Sequence, residues 1–128
     1  MSRILILDDS AFVRAFVKST LGRAGYVVET AEDWITVRRI LGTNQPVHLV
    51  LLDVNLPGLQ DGNNLALSLS RHPTTQHAKL VLFSGKTEAE LKELSNAPEI
   101  AGYIVKGKDP AELVTAVERF IGPPKPLS

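Results

Sequence analysis

Cysteine is absent from the 128 residues, so disulfides, thiol chemistry and a cysteine-based zinc site are excluded. Net charge is absent too: 14 lysines and arginines balance 14 aspartates and glutamates. That speaks against direct nucleic-acid binding, which calls for a basic excess. Long apolar runs are missing as well. The opening stretch holds only Ile4-Leu5-Ile6-Leu7 before two acids, which suits neither a signal peptide nor a membrane span. No contact with a membrane is expected, and the expected location is the cytoplasm. The histidines are few. His48, His72 and His77 fall in or near turns and lack metal-ligand spacing, so structural or solvated roles are expected. No repeat or low-complexity tract interrupts the chain before its Pro-rich tail. The length suits one domain with a real core.

What is present is organised around Leu49-Val50-Leu51-Leu52-Asp53-Val54-Asn55-Leu56-Pro57-Gly58. Four apolar residues end in one carboxylate, and a Pro-Gly turn follows. A continuous apolar run of this kind suits a strand buried on both faces of a parallel sheet. Asp53 then stands at the carboxyl end of a central strand, where ligands of open α/β sheets bind. A buried acid is costly unless something pairs with it. Partners appear at other strand ends: Asp8 and Asp9 after Ile4–Leu7, Ser84 after Leu80–Phe83, and Lys106 after Tyr103–Val105.

The remaining elements follow in order. Ser10 can cap a helix whose apolar residues Phe12, Val13, Phe16, Val17, Leu21 and Ala24 keep a 3.6 period, and Gly25 stops it. Tyr26–Thr30 reads as a short strand near an edge. A second helix carries Trp34, Val37, Ile40 and Leu41 on its inner stripe and ends at Gly42. A third holds Leu65–Leu69. Ala78–Phe83 is the fourth strand. Thr87 with Glu90 forms a capping-box pattern for a short fourth helix anchored by Leu91 and Leu94. Ala101–Val105 is the fifth strand. Asp109, Pro110 and Glu112 mark a strong start for the last helix. Gly122 and the prolines after it end that helix. The expected division is a domain over 1–122 and, over 123–128, a Pro-rich tail or the start of a linker. Five strand–helix pairs with right-handed crossovers predict a doubly wound α/β fold, a five-stranded parallel sheet with helices on both faces. In strand order 2-1-3-4-5, the flavodoxin-like arrangement, Asp8, Asp9 and Asp53 meet at the crevice between the first and third strands.

Asp8-Asp9-Ser10 with Arg14, Asp53-x-Asn55-x-Pro57, Ser84-Gly85 and Tyr103-x-x-Lys106 together resemble the receiver domain of two-component response regulators. The resemblance runs to about Gly122, and its specificity lies in the ordered set rather than in any one piece. It implies a phosphorylation-activated switch in which Asp53 accepts a phosphoryl group from a phosphohistidine on a partner histidine kinase or phosphotransfer protein. It implies Mg2+, with Asp9 and Asp53 as direct ligands, Asp8 acting through water, and the Asn55 main-chain carbonyl completing the set. Lys106 and Ser84 would contact phosphoryl oxygens. Ser84 and Tyr103 would carry the switch to the surface of the fourth helix, fifth strand and fifth helix, where a downstream protein or a second copy would bind. The domain would catalyse only its own phosphorylation and dephosphorylation and turn over no free substrate.

Hard oxygen ligands independently suit magnesium, and three converging carboxylates repel unless a cation is present. Two rivals belong to other classes. A receiver fold that has lost its switch would be a phosphorylation-independent interaction module; retention of the site side chains speaks against it. A haloacid-dehalogenase-type phosphatase also uses an aspartyl nucleophile, but its general-acid position is Asn55 here.

The sequence departs from the family pattern in three places. The segment from Asp53 to Gly62 is one residue longer, so Gly58–Gly62 is expected to bulge outward, with Asn63 or Asn64 starting the third helix. Gly107 replaces the usual cis proline. A cis non-proline bond is costly, so a trans bond is expected, with Gly107 at positive φ steering Lys106 inward. Ser84 stands where threonine is commoner.

Overall fold

The computed structural model describes residues 2–43, 45–54, 64–107 and 109–124, without the side chains of 64–67. Strands and helices alternate: β1 (Arg3–Leu7), α1 (Ala11–Ala24), β2 (Val27–Ala31), α2 (Trp34–Leu41), β3 (Leu49–Leu52), α3 (Asn64–Arg71), β4 (Lys79–Ser84), α4 (Glu88–Leu94), β5 (Gly102–Val105) and α5 (Pro110–Ile121). The strands form one parallel sheet in the order β2-β1-β3-β4-β5. The doubly wound α/β expectation therefore holds, including the reversal between β1 and β3.

Side-chain alternation along the strands divides the core. Leu5, Leu7, Val50, Leu52, Leu80 and Leu82 face one side, where Val37 and Leu41 of α2, Leu69 of α3 and Leu91 of α4 cover them. Ile4, Ile6, Leu49, Leu51, Val81, Phe83 and Ile104 face the other side, beneath Val17 and Leu21 of α1 and Leu113 and Val117 of α5. Period-two strands sandwiched between two helical layers need apolar residues at every position, which is why these runs are continuous. Each fully buried side chain contributes about 1.5–3 kcal/mol of transfer free energy.

Caps set the helix boundaries. The Ser10 hydroxyl accepts the Val13 N–H, Asp33 accepts that of Thr36, Thr87 that of Glu90, and Asp109 that of Ala111. Gly25 closes α1 at φ 111°, a left-handed conformation that L side chains rarely adopt. At α4 the Thr87 hydroxyl also donates to Glu90 Oε1 at 3.0 Å.

Three readings of the apolar periodicity need correction. Phe12 is 81% exposed, because five residues before buried Val17 it falls on the outward side of α1. Trp34 is the first residue of α2 and is 38% exposed, so Val37 and Leu41 make the buried stripe of that helix. Leu94 lies in the last turn of α4 and is 41% exposed, so Leu91 anchors that helix among its described neighbours. The Gly58–Gly62 segment and Asn63 lie outside the described residues; Asn64 is the first helical residue of α3.

The amino end of the sheet is fastened to the carboxyl end of α5. The Tyr26 hydroxyl donates to the Gly122 carbonyl at 2.7 Å, and Lys79 Nζ donates to the Phe120 carbonyl at 2.7 Å. Pro124 lies beside Gly25, where an added Cβ would stand 3.1 Å from the proline ring. Phe120 covers Gly102 so closely that a Cβ there would come within 2.9 Å of the ring.

Candidate functional site

Four strand ends converge at the carboxyl edge. β1 delivers Asp8, β3 delivers Asp53, β4 ends in Ser84, and β5 leads into Lys106. Backbone bonds fix the junctions. Asp53 N–H donates to the Leu7 carbonyl at 3.0 Å, Asp8 N–H to the Ala31 carbonyl at 3.0 Å, and Lys106 N–H to the Ser84 carbonyl at 2.8 Å.

The carboxylates of Asp8, Asp9 and Asp53 each offer an oxygen, and these oxygens all lie within 4.8 Å of one another. Asp8 and Asp53 are buried and Asp9 is exposed. Such a cluster is repulsive without a cation. Lys106 supplies one. Its Nζ lies 2.7 Å from Asp8 Oδ2 and 3.9 Å from Asp53 Oδ1, with the side chain 24% exposed. The Asp8 contact is an ion pair without hydrogen-bond direction: no described donor meets Oδ2 at a bonding angle, although the ammonium is close. The Lys106 ammonium also lies 5.5 Å from the centroid of the Phe83 ring, within cation–π range.

Asp8 is otherwise tightly held. Its Oδ1 accepts the Ser10 N–H at 2.9 Å, and its backbone carbonyl accepts from Arg14 Nη1 at 2.7 Å. Ser84 is buried, and its Oγ accepts the Lys86 N–H at 3.2 Å. Tyr103 is half-buried and packs against the core on the α2–α3–α4 side of the sheet. The three acids and Lys106 thus come together as expected, with Ser84 at the carboxyl end of β4 beside Lys106. Asn55 lies outside the described residues. The Lys106–Gly107 bond is trans, as expected. Gly107 is not among the described glycines at positive φ, so that part of the expectation fails; ordinary backbone torsions already bring Lys106 inward. Sequence reading gave Arg14 no role, and no spacing rule connects an arginine to a carbonyl six residues earlier.

The model of the response regulator receiver domain matches residues 4–118. This chain belongs to that family. The receiver is 31% identical over 125 residues to the transcriptional regulatory protein AruR of Pseudomonas aeruginosa, covering 93% of this chain and 49% of that protein. It is 34% identical over 123 residues to the phosphate regulon transcriptional regulatory protein PhoB of the same species, covering 94% of this chain and 53% of that protein. The chain spans about half the length of these curated relatives. Among solved structures it is similar to the Vibrio cholerae chemotaxis protein CheY4, with a TM-score of 0.77 and 28% identity over 94% of this chain and 98% of that one. A Thermotoga maritima response regulator, 21% identical with a TM-score of 0.80, shares the fold over 94% of this chain and 98% of its own.

The acidic group of the receiver could hold a metal ion, on two observations. Its carboxylate oxygens are close enough to share one cation, and buried Asp8 Oδ2 lacks a directed donor. Among the described residues no helix is long and apolar enough to cross a membrane.

Proposed function

We propose that this receiver is a phosphorylation-activated switch whose acceptor is Asp53. The observation that carries the reading is the convergence of the Asp8, Asp9 and Asp53 carboxylates with the Lys106 ammonium against two of them. The donor would be a phosphohistidine on a histidine kinase or phosphotransfer protein. An Asp53 oxygen would form the new P–O bond in line as the P–N bond breaks, its electron pair leaving with the imidazole. The product is an acyl phosphate on Asp53. Lys106 would move its point charge from Asp8 toward a phosphoryl oxygen, a short step from its present place between both acids. Ser84 already accepts the Lys86 N–H, so its own proton can be donated to another phosphoryl oxygen. Such positioned charges supply most of what phosphoryl transfer asks of a protein.

Mg2+ fits the hard oxygen donors. Asp9 and Asp53 would bind it directly, Asp8 through water, with the Asn55 carbonyl as a further ligand. When bound, it would neutralise charge building up on the phosphoryl oxygens. Turnover would be limited to the domain's own acyl phosphate, with no free substrate.

The output would leave through Ser84 and Tyr103 to α4, β5 and α5. A groove of about 630 Å³ runs there, lined in part by Glu88, Tyr103, Val105, Ala111, Thr115 and Arg119. A downstream protein or a second copy would bind on this face. α4 has one buried residue, Leu91, and so a low opening cost, which suits a movable element.

The test is labelling by acetyl phosphate with Mg2+, read by mass spectrometry. Wild type should be modified and Asp53→Asn should not. Equal labelling of both would remove Asp53 as acceptor. An unlabelled wild type that also ignores beryllofluoride would favour the phosphorylation-independent interaction module.

A further inference from the structure

Arg14 sits one turn into α1, its side chain 19% exposed, at the edge of the acidic pocket. Its guanidinium spans two loops. Nη1 donates to the Asp8 carbonyl at 2.7 Å, and Nη2 lies 4.0 Å from Glu32 Oε2 beyond β2. The two arms differ in weight. Glu32 is exposed and at the limit of ion-pair distance, so that contact contributes little. The carbonyl bond is short, charge-assisted and half-buried, which makes it the stronger arm.

The carbonyl in question belongs to the peptide that joins Asp8 to Asp9. Its orientation helps set how the two acids project. The same stretch is fixed from its other end. Ser10 N–H holds Asp8 Oδ1 at 2.9 Å, the Ser10 hydroxyl caps α1 through Val13 N–H, and the Ser10 carbonyl accepts the Arg14 N–H at 3.0 Å. The loop from Asp8 to Ser10 is therefore tied to the first turn of α1 through the Asp8 carbonyl and through Ser10, while the Asp8 carboxylate is held within the loop by the Ser10 N–H. The remaining carboxylate atom, Asp8 Oδ2, is left to face the pocket and Lys106.

We propose that Arg14 is a positioning residue that sets the Asp8–Asp9 peptide, and through it the acids, for cation binding. This rests on the reading of the acidic group as a magnesium site. Arginine suits the task because its planar fork donates in a fixed direction, whereas a lysine at the same place would have one mobile point charge. Groups that orient metal ligands without touching the metal typically change metal affinity 10–100-fold when removed.

The experiment is Mg2+ titration of the wild type, Arg14→Ala, Arg14→Lys and Glu32→Gln proteins, followed by amide NMR well below each melting temperature. Arg14→Ala should bind Mg2+ about tenfold or more weakly. Arg14→Lys should recover part of the loss, and Glu32→Gln should match wild type. Before any metal is added, the Asp9 amide nitrogen should shift in Arg14→Ala, because it reports the bond to the Asp8 carbonyl. An unmoved Asp9 resonance, or Arg14→Ala affinity within twofold of wild type, overturns the role of Arg14 while leaving the magnesium reading intact. A Glu32→Gln loss as large as that of Arg14→Ala would move the effect to the ion pair and overturn it too. A wild type that takes up no Mg2+ overturns both readings together.

Discussion

Lys106 stands closer to Asp8 than to Asp53, at 2.7 Å against 3.9 Å. The ammonium thus offsets the most deeply buried acid of the group and reaches the proposed acceptor only as a second neighbour. Removing it leaves Asp8 buried and without its cation. Lys106→Met should cost about 1–3 kcal/mol, the lower range for a lost partner because the ammonium is partly solvated. Urea denaturation would measure this. Added Mg2+ should recover more stability in the variant than in wild type, since the metal then meets an uncompensated cluster.

The close approach of Phe120 to Gly102 predicts overpacking. Gly102→Ala places a methyl group 2.9 Å from the ring edge, so ring or strand must shift. The expected loss is about 1–3 kcal/mol in thermal or urea unfolding. Pairing it with Phe120→Leu should cost less than the sum of the two single changes, because the smaller side chain vacates the contested space.

Acid should loosen the start of α4. The Thr87 hydroxyl holds the Glu90 carboxyl below its ordinary value, with Lys86 assisting. A depressed carboxyl stabilises the fold above its unfolded pKa, and that contribution is lost as pH falls through the folded value. Amide protection factors in α4, with the intrinsic pH dependence of exchange divided out, should therefore fall on the acid side of that range. Thr87→Val should bring the Glu90 titration, followed by carboxyl NMR, back up toward the ordinary value and weaken the cap by about 1 kcal/mol.

Alkali should act at the other end of the molecule. Burial, with Glu118 adding to it, raises the Tyr26 phenol above its ordinary value of 10.0. Its hydroxyl holds the Gly122 carbonyl. The folded state keeps the proton longer than the unfolded chain, so this stability is complete below the unfolded pKa and declines as pH rises toward the folded one. Tyr26→Phe should lose about 0.5–1.5 kcal/mol at neutral pH. Its melting temperature should also fall less steeply in alkali than that of wild type.

The strand ends were legible because a sheet covered on both faces needs unbroken apolar runs. Ile4–Leu7, Leu49–Leu52 and Leu80–Phe83 leave little choice about where a polar residue emerges. The end of each run therefore marks the positions of Asp8, Asp53 and Ser84 in the sequence itself. Periodicity was weaker at helix ends. Trp34 and Leu94 fit the repeat set by buried Val37 and Leu91, yet each is a terminal residue of its helix and stays partly exposed, whereas Phe12 falls off the stripe set by Val17 and Leu21. The choice of Lys106 between Asp8 and Asp53 is a matter of about an ångström, below what spacing along a chain can resolve. Gly107 misled for a related reason: a glycine permits positive φ but does not require it. Arg14 was visible in the motif, but its carbonyl partner depends on how α1 folds back over the Asp8–Ser10 loop.

The fastening of α5 to the amino end of the sheet has a practical bearing. Tyr26, Lys79 and Pro124 gather residues 120–124 beneath the strands, while the acids lie above them. A five-residue strand is about 16 Å long. A fluorophore, tether or fusion attached after residue 124 would begin on the opposite pole from Asp53, leaving the mouth of the pocket clear for a donor protein. Instruments built on this chain could therefore be wired from below and loaded from above.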